Sequence, residues 1–451
     1  MRFAPYALVA ALAAGPAAAD PVTILFVGNS YMFGRLDPVL TYNAANVRDL
    51  TQPQGPLNGG RDPALPFTSG APFTNLTGTN SYPVGTINPS TGAEFTSYSP
   101  HSQTAAWGGV PGIFKQFTVQ AGLDYNVALS TRNAASLRGH FLNTANDNWD
   151  MRGNIGSQRW DKVVLQEQSD EALPPKTVNG VALGSNYPAF QAYANRIENW
   201  VHQGAALTYT ERDMYNAIHG SQSACVAAGG TTSSCNNGTT RTVPANANAN
   251  AAAQMLLMQP WARPNLINPP GTNTINPRTG DAIYDTTKPA PSYYASLDAL
   301  TADNTAQYKR ALDFADDDGS GGFAGIVPVG QAFLRAVTEG VATRDMYAGN
   351  ALTDGLIDLW FNDGTHASVY GSYLSALTLF GLITGIDPAS LGGDERAARD
   401  LGISSADALA LQRIASLTLA DIQAVPEPGS LALMLVGLAV VGGVARMRRS
   451  R

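Results

Sequence analysis

The stretch ILFVGNSYMFG, residues 24–34, decides how the rest of the chain is read. Four apolar residues run without polar alternation into Gly28-Asn29-Ser30, and an apolar, helix-like segment follows. An unalternated run predicts a strand covered on both faces, as in a parallel sheet. Such sheets offer their ligand crevice beyond the carboxyl ends of the strands, and a serine stands there. A serine hydroxyl becomes a good nucleophile only when a base takes its proton and a carboxylate orients that base. If Ser30 is reactive, a histidine and an acid must come to it from elsewhere.

Both are found in LWFNDGTHASVYGSYL, residues 359–374, where Asp363-Gly364-Thr365-His366 precedes an amphipathic helix. An acid and a histidine three positions apart can point from one loop toward one strand end. Between the two motifs, strands are predicted over 22–27, 125–129, 162–165, 252–258 and 325–329. Helices are predicted over 188–202, 306–316, 330–339 and 368–384, with Gly385 placed to cap the last. Their alternation implies an α/β fold with a mostly parallel sheet. Segments rich in Gly, Pro, Asn, Thr and Ser interrupt it near 45–115, 205–250 and 265–300 and are read as insertions. The main domain is expected over 20–400, followed by a helical linker over 401–424.

Only 14% of the 451 residues are charged and the net charge is −7, which excludes the basic stripe of a nucleic-acid binder. Residues 1–19 read as a secretion signal: Arg2, an apolar run, then Ala17-Ala18-Ala19 before Asp20. Export permits a disulfide between the two cysteines, Cys225 and Cys235. Without nearby histidines they cannot complete a zinc shell. The acids over 313–322 lack the alternation of a calcium loop. No metal and no cofactor are expected.

The other end reads VPEPGSLALMLVGLAVVGGVARMRRSR, residues 425–451. Its apolar run over 431–445 is short of the roughly 20 residues of a membrane span, and four arginines follow it. The Pro-Glu-Pro motif, apolar helix and basic end together resemble the PEP-CTERM sorting signal. That resemblance implies processing by an exosortase in a Gram-negative bacterium, with transient inner-membrane association. The destination would be the periplasm, the outer surface or the extracellular matrix.

Gly28-Asn29-Ser30 and Asp363-Gly364-Thr365-His366 resemble the nucleophile and terminal Asp-x-x-His blocks of the SGNH/GDSL hydrolase superfamily. A bacterial branch is more similar still, carrying GNS, LQEQS, WAR, PVG and DGTH, here Gly28–Ser30, Leu165–Ser169, 261–263, 328–330 and 363–366. The resemblance implies a three-layer α/β/α sandwich with about five parallel strands. It also implies Ser30 as nucleophile, His366 as base and Asp363 as its orienting acid. The superfamily completes its oxyanion hole with a backbone N–H after the second strand and an asparagine amide after the third. Here the backbone N–H groups of Ser30 and Ser136 and the amide of Gln168 would have to serve. Asn29, Glu167, Trp261, Arg263 and His140 are candidate substrate contacts. The expected function is ester hydrolysis, with acyl groups on extracellular polysaccharide as substrate. The alternative is a non-catalytic surface or biofilm-matrix binding protein that keeps the fold.

Overall fold

The computed structural model describes residues 20–34, 38–50, 79–82, 99–102, 107–144, 150–267, 291–361 and 363–423. The expected secretion signal and sorting signal lie outside these residues, as do most of the first insertion and the middle of the third. Six strands form the central sheet: β1 (Val22–Gly28), β2 (Arg48–Asp49), β3 (Tyr125–Thr131), β4 (Lys162–Leu165), β5 (Gln254–Met258) and β6 (Gly325–Val327). They lie in the order β6-β5-β4-β1-β3-β2, and every pairing is parallel. Strand β2, two residues long, is hidden from sequence reading because its residues are charged. Arg48 is nevertheless buried, with its guanidinium 3.2 Å from the Gln158 side-chain oxygen.

Successive β1 residues serve opposite faces. Ile24 and Phe26 enter one apolar cluster, Leu25 and Val27 the other, so the run carries no polar alternation. The helices divide accordingly. We number α1 (Ser30–Phe33), α2 (Gly109–Gln120), α3 (Leu137–Leu142), α4 (Tyr187–His202), α5 (Leu297–Asp316), α6 (Val329–Thr338), α7 (Val369–Thr384) and α8 (Ser405–Gln423). On the first face α2, α6, α7 and α8 contribute Phe117, Phe333, Leu377 and Leu411. On the second, α3 and α4 contribute Phe141, Phe190 and Ile197, and α5 adds Tyr308 and Ala311. The result is the three-layer sandwich.

Two expectations change. Helix α5 begins at Leu297 rather than near 306, capped by the Ser296 hydroxyl on the Ala299 N–H at 3.1 Å. The Pro/Asn/Thr-rich composition just upstream masked that start. The segment over 401–424 is not a linker. It carries α8, whose Ala408, Leu411, Ile414 and Ala415 are buried in the first cluster. Its apolar spacing is that of a core helix, so it belongs to the sandwich.

The excursion near 205–250 is ordered. Strand segments Leu207–Thr210 and Thr240–Val243 pair antiparallel, three short helices lie between them, and Cys225 and Cys235 are joined in a disulfide. At its base the fully buried Glu211 carboxylate accepts from Arg138 at 2.6 and 3.0 Å, Arg241 at 2.7 Å, Asn237 at 2.7 Å and the Tyr193 hydroxyl at 2.8 Å. Arg138 belongs to α3, so this cluster ties the stapled excursion to the sheet's helical layer. Among the described residues no helix is long and apolar enough to cross a membrane.

Candidate active site

The chain leaves β1 for β2 and β3 on one side and returns as β4 on the other. Where the connections diverge, beyond the ends of β1 and β4, is the point at which a parallel sheet generally offers a ligand crevice. Ser30 starts α1 at that point and is 7% exposed. Its turn is fixed from three sides. The Asn29 N–H donates to Gln166 Oε1 at 2.9 Å, and the Asn29 amide donates to the carbonyls of Ala135 at 3.1 Å and Glu167 at 3.5 Å. The Asn29 side-chain oxygen caps α1 through the Tyr31 N–H. A Cβ at Gly28 would lie 2.5 Å from Gln166 Oε1 and would push aside the amide that holds the Asn29 N–H.

From the far end of the chain, His366 Nε2 reaches 2.9 Å from Ser30 Oγ, and His366 Nδ1 lies 2.6 Å from Asp363. The other Asp363 oxygen accepts the backbone N–H groups of Thr365 and His366, both at 2.9 Å. Burial would raise the Asp363 carboxyl, but the His366 ring and these N–H groups hold it well below the usual carboxylate range. It therefore stays ionised and fixes the tautomer that leaves Nε2 as acceptor for the serine proton. Gly364 makes the loop possible. Its φ is +62°, and a Cβ would meet the Tyr347 hydroxyl at 1.9 Å.

Four other candidates lie in the packing around these residues. Asn29, Glu167, His140 and Trp261 are all buried, between 0 and 2% exposed. Asn29 ties strand ends together, as above. Glu167 Oε1 accepts the N–H of Leu137 at 3.1 Å and of Gln168 at 2.6 Å, joining the loops after β3 and β4. His140 donates from Nε2 to the Gly28 carbonyl at 2.8 Å, and burial lowers its pKa to about 4, so it remains neutral. Trp261 is stacked between Tyr31 and Phe333, at 4.3 and 4.9 Å between ring centres. Each polar side chain is held here by a buried backbone group that would otherwise lack a partner.

The Gln168 side chain is engaged within its own turn: its amide nitrogen lies 3.3 Å from Ser169 Oγ and its oxygen accepts the Asp170 N–H at 2.9 Å. Ser136 caps α3, and the Ala135–Ser136 peptide abuts Asn29. Sequence reading missed Gln166, Ser169, Asp170 and Thr365, which hold the site's loops. Gln166 and its neighbours stand directly after an apolar strand, and that placement was the available signal. Among the described residues, no group of three or more His, Cys, Asp or Glu side chains could hold a metal ion.

Residues 424–449 match the PEP-CTERM protein-sorting motif. The motif implies a secreted protein sorted through the membrane of a Gram-negative bacterium, with exosortase-dependent processing. No curated protein matches the chain. Among solved structures, a DUF4886 family protein from Bacteroides uniformis is 11% identical, covers 91% of this chain and 99% of its own, and has a TM-score of 0.35. A candidate SGNH hydrolase from Slackia heliotrinireducens is 15% identical, covers 81% of this chain and 100% of its own, and has a TM-score of 0.30.

Proposed function

We propose that the protein is an exported serine hydrolase that cleaves esters through Ser30, His366 and Asp363. The observation that carries this reading is the unbroken chain of hydrogen bonds from Ser30 Oγ through His366 to Asp363, at 2.9 and 2.6 Å. Ser30 Oγ attacks the acyl carbonyl while His366 Nε2 takes its proton. The proton then passes to the leaving alcohol, an acyl-enzyme forms, and water activated by the same histidine releases the acid. Asp363 keeps the imidazole oriented and stabilises its charged form. Acyl groups on an extracellular polysaccharide are the proposed substrate, on the support of the sorting motif, since such a protein meets polymer outside the inner membrane. A fluorophosphonate should label the purified protein, and Ser30→Ala should abolish labelling. Undiminished labelling of the variant would overturn the assignment.

The developing oxyanion falls to backbone donors, the N–H of Ser30 and that of Ser136. Gln168→Ala is accordingly expected to leave kcat within about threefold in steady-state assays. Removing a true oxyanion donor costs about 10²–10³-fold, so a loss of that size would return Gln168 to the hole.

A further inference from the structure

Arg263 shows a pattern of contacts that catalysis as described does not use. Its side chain is 12% exposed and reaches two loops that are far apart in sequence. On one side its guanidinium pairs with Asp170 and donates to Ser169 Oγ at 2.9 Å, both in the turn after β4. On the other it lies 3.4 Å from Thr365 Oγ1, inside the Asp363–His366 loop. Its Nε donates to Asn265 at 3.2 Å, which fixes the plane of the group. Adjacent residues clasp the same loop: Trp261 Nε1 donates to the Thr365 carbonyl at 2.9 Å, and the Asn265 N–H to the Gly364 carbonyl at 3.3 Å. Of these contacts, only those of Arg263 also reach the turn after β4.

We infer that Arg263 is a positioning residue, a cross-brace that holds the His366 loop in register with the turn after β4 and so keeps His366 Nε2 on Ser30 Oγ. The inference rests on the proposed hydrolase reading. A planar guanidinium suits the task because its fork can donate in several fixed directions at once, which an ammonium cannot. A displacement of about 1 Å at a reacting pair can cost on the order of 10²-fold in rate. The histidine hangs from a four-residue loop, so a brace beside it has leverage on that distance.

The test uses the full chain and two readouts: steady-state hydrolysis of p-nitrophenyl acetate and the low-field proton resonance of the His366–Asp363 hydrogen bond. Arg263→Ala is expected to lower kcat by about 10- to 100-fold with KM within about twofold. The low-field resonance should weaken or vanish, and millimolar guanidinium should restore part of both signals. Arg263→Lys should fall between wild type and alanine. A raised KM with kcat intact would make Arg263 a substrate contact and overturn the inference, as would an unchanged kcat and resonance. Should Arg263→Ala fail to fold, Ser169→Ala and Thr365→Val each remove one anchor and leave the ion pair. A smaller kcat loss in each supports the brace, and no change in kcat or resonance in either defeats it. If the wild type hydrolyses no ester, the hydrolase reading fails, while the resonance comparison still decides whether Arg263 holds the loop.

Discussion

Ser30→Ala and His366→Ala are each expected to cut hydrolysis of p-nitrophenyl acetate by about 10³- to 10⁶-fold, and the double variant to lose no more than either alone. Without the hydroxyl there is no acyl acceptor, and without the imidazole the hydroxyl keeps its proton. Each loss disables the same step. Asp363→Asn should cost about 10⁴-fold, because an amide facing Nδ1 favours the tautomer that carries its proton on Nε2. That loss should appear in kcat far more than in KM, since substrate binding uses none of these bonds. Kinetics on purified, folded variants decide the matter. Full activity in Ser30→Ala, or losses that multiply in the double variant, would refute the mechanism.

The second large effect concerns stability. Glu211→Ala is expected to destabilise the fold by about 2–4 kcal/mol, because it removes the buried carboxylate that the half-buried Arg138 and Arg241 share and takes the acceptor from Asn237 and the Tyr193 hydroxyl. Burial alone would raise the Glu211 carboxyl, yet the two guanidinium groups hold it at about 2. The sign of its pH dependence follows from that direction. A carboxylate whose folded pKa lies below its unfolded value of about 4.3 stabilises the protein above that value. This contribution is lost as pH falls from there toward about 2. Urea denaturation at pH 7 should show the full deficit in Glu211→Ala, and the gap to wild type should narrow between pH 4 and 2. A deficit under about 1 kcal/mol at neutral pH would mean that water replaces the carboxylate there.

The parts legible in the sequence were those whose physics is local. A strand covered on both faces announces itself by an unbroken apolar run, which exposed β1, β3 and β4. Asp363 and His366 were legible because an acid and a histidine in one short loop have few structural reasons to stand together. The two charged residues of β2 carry no strand signal, and a partner of the buried Arg48, Gln158, stands 110 positions away. The same limit explains Asn29, Glu167, His140 and Trp261. A polar or aromatic residue at a strand end can face ligand or backbone, and residue type does not distinguish the two. Helix α8 reads as a linker in sequence because its partner, α7, lies beyond a connection over residues 385–404 that the pattern alone does not close.

The sheet's strand order has a consequence for how the protein comes into being. The first strand of the chain lies in the middle of the sheet, while the serine that ends it waits for a base 336 positions later. A polypeptide delivered from its N-terminus therefore displays Ser30 long before His366 has emerged. Closing so large a loop is a late event, and topologies dominated by such distant contacts fold slowly. Until the His366 loop docks beside it, the serine is an ordinary alcohol. On the proposed reading the nascent chain is thus chemically silent toward whatever esters surround its point of exit, and reactivity would arrive with the His366 loop rather than with the nucleophile.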